Sequence, residues 1–89
     1  RFVKMEGAPI LEVKAQKDGV LLLRLNSGNL LSLDMKPKFS TYRFGVLSDP
    51  EVFASADTDG YFVYWYKNGM AVAELGSGEI MEMARGEAY

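Results

Sequence analysis

At 89 residues, with 48% hydrophobic and 25% charged side chains, the chain has the length of one domain and an ordinary globular composition, which excludes both a disordered chain and two separate folds. It holds no cysteine and no histidine, so disulfides, thiolate or imidazole metal sites, Ser-His and Cys-His nucleophiles and HExxH zinc chemistry are all ruled out. The net charge of −2 argues against a nucleic-acid partner, for which a basic face is expected.

A chain this short buries roughly 60% of its extended surface, enough for one compact core with a thin stability margin. No apolar run approaches the ~20 residues of a membrane span, and Val20 to Leu23 is a strand's length. No secretory signal pattern stands at the N-terminus, so the expectation is a cytoplasmic protein without membrane contact. Because the chain opens on Arg1 and not on methionine, an initiator or tag is expected to have been removed.

In chain order, Ile10 to Gln16 alternates Leu11, Val13 and Ala15 against Glu12, Lys14 and Gln16, a strand with one wet face. Lys17-Asp18-Gly19 makes a tight turn, since Asp and Gly tolerate positive φ. Val20 to Leu25 is apolar on both faces, which predicts a central strand. After the Asn26-Ser27-Gly28-Asn29 turn, Leu30 to Met35 completes a three-stranded meander.

Lys36 to Leu47 sustains no periodicity, and reads as an irregular connection that tucks Phe39, Phe44 and Leu47 under the sheet. Ser48-Asp49-Pro50-Glu51 has helix-start chemistry: a capping oxygen, a proline that needs no amide partner, and an acid at the positive end. Val52 and Phe53 would anchor that short helix. A second hairpin group follows, with a strand within Ser55 to Thr58, the Asp59-Gly60 turn, a strong strand from Tyr61 to Tyr66, the Lys67-Asn68-Gly69 turn and a return over Met70 to Ala73. Ser77-Gly78-Glu79 opens a last short helix, Glu79 to Ala84. The fold expected is α+β: a curled antiparallel sheet of two hairpin or meander groups with two short helices. It forms a single domain over 1–89, with its core at 9–84 and flexible ends at 1–8 and 85–89.

The ordered set Leu25-Asn26-Ser27-Gly28, Leu33-Asp34-Met35-Lys36-Pro37, Leu47-Ser48-Asp49-Pro50-Glu51-Val52-Phe53, Asp59-Gly60 and Val63-Tyr64-Trp65 with Asn68-Gly69 resembles the small bacterial family known as domain of unknown function 2442. The resemblance covers Pro9 to Met83. In one departure, two residues, Tyr66 and Lys67, separate Trp65 from Asn68-Gly69 where the family pattern has one, which points to a bulge in that hairpin. The resemblance implies an α+β fold with no established activity, in proteins similar to the small partner of a neighbouring protein in a toxin-antitoxin-like gene arrangement. Some members carry an appended helix-turn-helix. The chain ends at Tyr89 before any such segment, so DNA binding is not carried over.

The candidate site is the aromatic strand. Period two sends Tyr61, Val63 and Trp65 to one face and Phe62, Tyr64 and Tyr66 to the other. The family pattern places Val63 and Trp65 in the core. Either the short helices and the 39–47 connection cover the second set, or that set is a surface for a partner protein or for self-association as a homodimer. A rival of a different class is a small-molecule site lined by Trp65, Tyr64 and Phe44, and Tyr42 joins the candidate surface beside Phe62, Tyr64, Tyr66, Trp65 and Phe44. A third reading is an oligomerisation module cut from a longer chain.

Other motifs carry less. Asp57-x-Asp59-Gly60 begins like a calcium loop, but Tyr61, Val63 and Tyr66 stand where oxygen ligands or permissive residues are needed and no glutamate closes it, so a hairpin turn is expected and no metal site. Gly76-Ser77-Gly78 lacks the lysine of a phosphate cradle and reads as a loop that opens a helix. Lys36, Lys38 and Arg43, interleaved with Phe39, Tyr42 and Phe44, form the one basic-aromatic stretch, read as a solvated loop and not a nucleic-acid site. Glu79 and Glu82 are expected only to solubilise the last helix. No acid/base dyad is visible, so the expectation is a protein without enzyme activity or cofactor, acting as an interaction domain.

Overall fold

The computed structural model describes residues 7–85. The first sheet is an antiparallel meander of β1 (Ile10–Gln16), β2 (Val20–Leu25) and β3 (Leu30–Asp34), with β2 at its centre. Leu21 and Leu23 of β2 are wholly buried, while Val20 and Leu22 lie half-buried on the opposite face. Asp18 and Gly19 turn β1 into β2 at φ of 63° and 73°, a left-handed conformation that Asp and Gly reach at least cost.

Along β1, Val13 and Ala15 face the core and Glu12, Lys14 and Gln16 face solvent as the sequence predicts, and only the start of the strand departs from that alternation. Ile10 pairs with Leu25 and Glu12 with Arg24, so Leu11 is the extra residue of a bulge. Ile10 takes the wholly buried position, and Leu11 is only half-buried.

The second sheet is the meander β4 (Asp57–Thr58), β5 (Phe62–Lys67) and β6 (Met70–Gly76). Asn68 and Gly69, at φ of 53° and 80°, form the two-residue turn between the paired Lys67 and Met70. Strand β6 runs to Gly76, further than its apolar start predicts, because Glu74, Leu75 and Gly76 supply the backbone partners of Tyr64, Val63 and Phe62. Trp65 pairs with Ala73 and Tyr66 with Ala71, leaving Val72 as a bulge in the hairpin that the Trp65 to Asn68-Gly69 spacing marks. The two meanders touch where the Ile10 amide donates to the Gly60 carbonyl at 3.0 Å.

Between the sheets, residues 36–47 form the irregular connection expected, made of two 3-10 turns at Lys36–Ser40 and Gly45–Ser48. Phe44 and Leu47 are buried and Phe39 is partly buried against the same core. The one-turn helix α1 (Pro50–Phe53) is capped by Asp49, whose Oδ1 accepts from the Glu51 amide at 3.0 Å. Helix α2 (Ser77–Ala84) buries Ile80 and Met83 and lies against β6 and β3.

One continuous core joins Leu21, Leu23 and Leu33 of the first sheet to Val63, Trp65 and Leu75 of the second, with Phe44, Phe53, Ile80 and Met83 closing it. Each large side chain so buried contributes roughly 1.5–3 kcal/mol. Ala8, in the stretch expected to be flexible, is buried, and the Arg85 amide bonds to the Met81 and Glu82 carbonyls at the end of α2. The rest of the expected flexible ends, 1–6 and 86–89, lies outside the described residues.

Candidate interaction face

Strand β5 divides its aromatics as period two requires. Val63 and Trp65 point inward and are wholly buried, and Trp65 packs against Phe44 and Phe53 at centroid distances of 6.2 and 6.4 Å. Its indole Nε1 is buried without an acceptor among the described residues. Phe62, Tyr64 and Tyr66 point outward as a ladder, with Phe62 and Tyr64 stacked at 5.9 Å and Tyr64 and Tyr66 tilted at 6.4 Å. The Phe62 ring leans over Gly76, where an added Cβ would stand 3.3 Å from Cε2, so the missing side chain makes room for the ring.

Carboxylates frame the middle of this ladder. Tyr64 is flanked in register by Asp57 on β4 and Glu74 on β6, both exposed on the same face. Its hydroxyl donates to Asp59 Oδ2 at 3.3 Å, while Asp59 Oδ1 accepts from the Tyr61 and Phe62 amides at 2.9 Å each. Those amides hold the Asp59 carboxyl below its ordinary range. The Tyr64 phenol is pushed up, first by partial desolvation and then by the negative charge of Asp59 and Glu74.

Arg43 closes one side. Its guanidinium lies 4.6 Å over the Phe44 ring, donates through Nη1 and Nη2 to the two oxygens of Glu79 at 2.6 and 2.7 Å, and bonds the Glu74 carbonyl at 2.8 Å. Glu79 Oε2 also accepts from the Gly76 amide at 3.3 Å. Glu79 therefore fixes the start of α2, where the sequence reading gave it only a solubilising role. Arg43, Tyr64, Val72 and Glu74 line a shallow hollow of about 300 Å³.

Of the residues singled out in sequence, Phe62, Tyr64 and Tyr66 come together on this face. Trp65 and Phe44 do not join them, being 0% and 4% exposed in the core. Tyr42 is fully exposed on the connection, and Tyr61 precedes β5 and is also exposed. The pocket expected between Trp65, Tyr64 and Phe44 does not form, because Tyr64 and Trp65 are consecutive residues on opposite faces of one strand. The connection and helices pack their buried residues Phe44, Leu47, Phe53 and Ile80 with Trp65 on the inner face, and on the outer face Phe62 is left exposed while Tyr64 and Tyr66 are half-buried.

Two features had no clear signal in the sequence. The Asp57 and Glu74 rim depends on strand register, which residue spacing does not disclose. A cleft of about 460 Å³ opens between the β1–β2 turn and α1, lined by Ala15, Gly19, Lys36, Phe39, Leu47 and Phe53 from three separate segments. At its edge the Lys36 ammonium is held by the Asp18 carbonyl at 2.6 Å and Asp34 Oδ1 at 2.9 Å.

Asp59 accepts the turn amides through Oδ1 and the Tyr64 hydroxyl through Oδ2, and no group of three or more metal-ligating side chains occurs among the described residues. Among them no helix is long and apolar enough to cross a membrane. Comparison with protein-family models, with curated proteins and with solved structures finds no match to this chain.

Proposed function

We propose that this chain is a cytoplasmic, non-enzymatic protein-interaction domain that binds through the outer face of β4–β6, a reading in keeping with its resemblance to the domain of unknown function 2442 family. The observation that carries it is the Phe62–Tyr64–Tyr66 ladder, three large rings side by side on the outer face while Val63 and Trp65 fill the core. Val72, raised on its bulge and exposed beside the hollow, extends the apolar surface. Aromatic rings are concentrated in interface cores because they bury large area while losing few rotamers.

The partner is a small neighbouring protein, in an antitoxin-like arrangement, with a second copy of the chain as the competing occupant. Light scattering on the chain recovered from its native host tests this. A partner raises the mass by its own increment, and self-association doubles the 9.9 kDa of one chain. A mass of one copy throughout contradicts the reading. The cleft beside Phe39 and Phe53 favours a second reading, a small apolar ligand, which would raise the melting temperature without changing the mass.

A further inference from the structure

We infer that the outer face recognises a basic segment of its partner, with an arginine or lysine side chain laid across Tyr64. This rests on the interaction-domain reading and specifies the chemistry of the partner. Tyr64 stands at the middle of the ladder, with Phe62 and Tyr66 on either side along β5. Across the sheet it sits in one row with Asp57 and Glu74, and Asp59 receives its hydroxyl proton. Three carboxylates thus stand around the middle of the ladder, on a surface where a bordering cation, Arg43, already holds both oxygens of Glu79.

An aromatic face attracts a cation through its quadrupole, and neighbouring carboxylates add charge and hydrogen-bond acceptors at the edge of the ring. An acidic segment would meet Asp57, Asp59 and Glu74 as like charges, and a purely apolar one would strip water from these charges without compensating them. A second copy presenting the same face would set carboxylate against carboxylate, so the charge favours a basic partner over self-pairing.

Short glycine-spaced arginine, lysine and glutamate peptides, titrated against the whole chain by fluorescence anisotropy, test the inference. The arginine and lysine peptides should bind, the glutamate peptide should not, and binding should fall as salt rises. Tyr64→Ala and Glu74→Gln should each weaken the arginine peptide by about two- to fivefold, the range of an exposed cation–aromatic contact. Glu51→Gln makes the same change of net charge on α1, away from the ladder, and should leave binding unchanged.

Equal weakening by Glu51→Gln, or equal binding of the glutamate peptide, overturns the inference, because bulk charge or stickiness then explains the result. Absence of binding to either basic peptide also overturns it. If a native partner is still captured through Tyr64 in that case, the interaction-domain reading survives and only the basic chemistry fails.

Discussion

Arg43 and Glu79, 36 positions apart, meet in a two-pronged ion pair, Nη1 to Oε1 at 2.6 Å and Nη2 to Oε2 at 2.7 Å. The pair ties the irregular connection to the first turn of α2, beside the edge of the aromatic face. Both side chains remain substantially exposed, at 49% and 41%, so solvent screening limits the pair to about 1 kcal/mol.

The pair makes a pH prediction of definite sign. Arg43 holds the Glu79 carboxyl below its ordinary value of 4.5. A carboxylate whose folded pKa is depressed stabilises the fold above its unfolded pKa and loses that contribution as pH falls through the folded value. Glu79→Gln should therefore melt lower than wild type near neutral pH. The difference should shrink on acidification below the ordinary value of 4.5 and vanish once the medium is acid enough to protonate the carboxyl in the folded state as well. Thermal unfolding of the two proteins across that range checks it, and comparing them cancels the parallel contributions of Asp34 and Asp59, whose carboxyls are also held low.

Tyr64 and Trp65 are neighbours in sequence with opposite structural roles. Trp65→Ala empties a wholly buried site between Phe44 and Phe53 and should cost about 3–5 kcal/mol, a large share of what a domain of this size possesses. Tyr64→Ala removes ladder contacts and the long hydroxyl bond to Asp59 on the outer face, and should cost about 1 kcal/mol. Urea unfolding of both variants checks the contrast, and comparable losses would place Tyr64 in the core.

The unpartnered indole N–H gives Trp65→Phe a distinct expectation. Losing part of the ring costs packing, but it also removes a buried donor that has no acceptor among the described residues, itself worth about 1–3 kcal/mol. The two effects oppose one another, so stability should stay within about 1.5 kcal/mol of wild type, well short of Trp65→Ala. Equilibrium unfolding of the pair decides it.

How far the sequence disclosed the fold depended on how local the signal was. Asp18-Gly19 and Asn68-Gly69 announce their turns because only certain residues reach left-handed φ at low cost, and Asp49-Pro50 announces α1 because capping acts within three residues. Val63 and Trp65 form the inward set of β5, which period two groups together but does not by itself orient. What escaped was set by partners remote in sequence. Nothing near Leu11 shows that a bulge hands its core position to Ile10, and nothing near Arg43 names Glu79. The pocket expected from Trp65, Tyr64 and Phe44 failed for a nearer reason, since period two already sets consecutive strand residues on opposite faces.

Two glycines at similar φ separate backbone strain from steric room. Gly19, at φ +73°, would set an added Cβ 2.8 Å from Lys36 Cγ and 3.1 Å from Phe39 Cζ, whereas Gly69, at φ +80°, has nothing within 4 Å. Gly69→Ala should cost about 1–2 kcal/mol for the left-handed conformation alone. Gly19→Ala should cost more, because Lys36 and Phe39 must also move, and thermal melts of the two variants rank them.

The central claim is that the outer ladder of β5 holds a partner protein. Affinity purification of the tagged wild type and of Tyr64→Ala from the native host, after melting curves show that both are folded, tests it most directly. A small protein should be recovered in near-equal amount with wild type and be lost or much reduced with Tyr64→Ala. Recovery of the same protein in the same amount with both, or of none with wild type while that neighbouring protein is expressed, would contradict it.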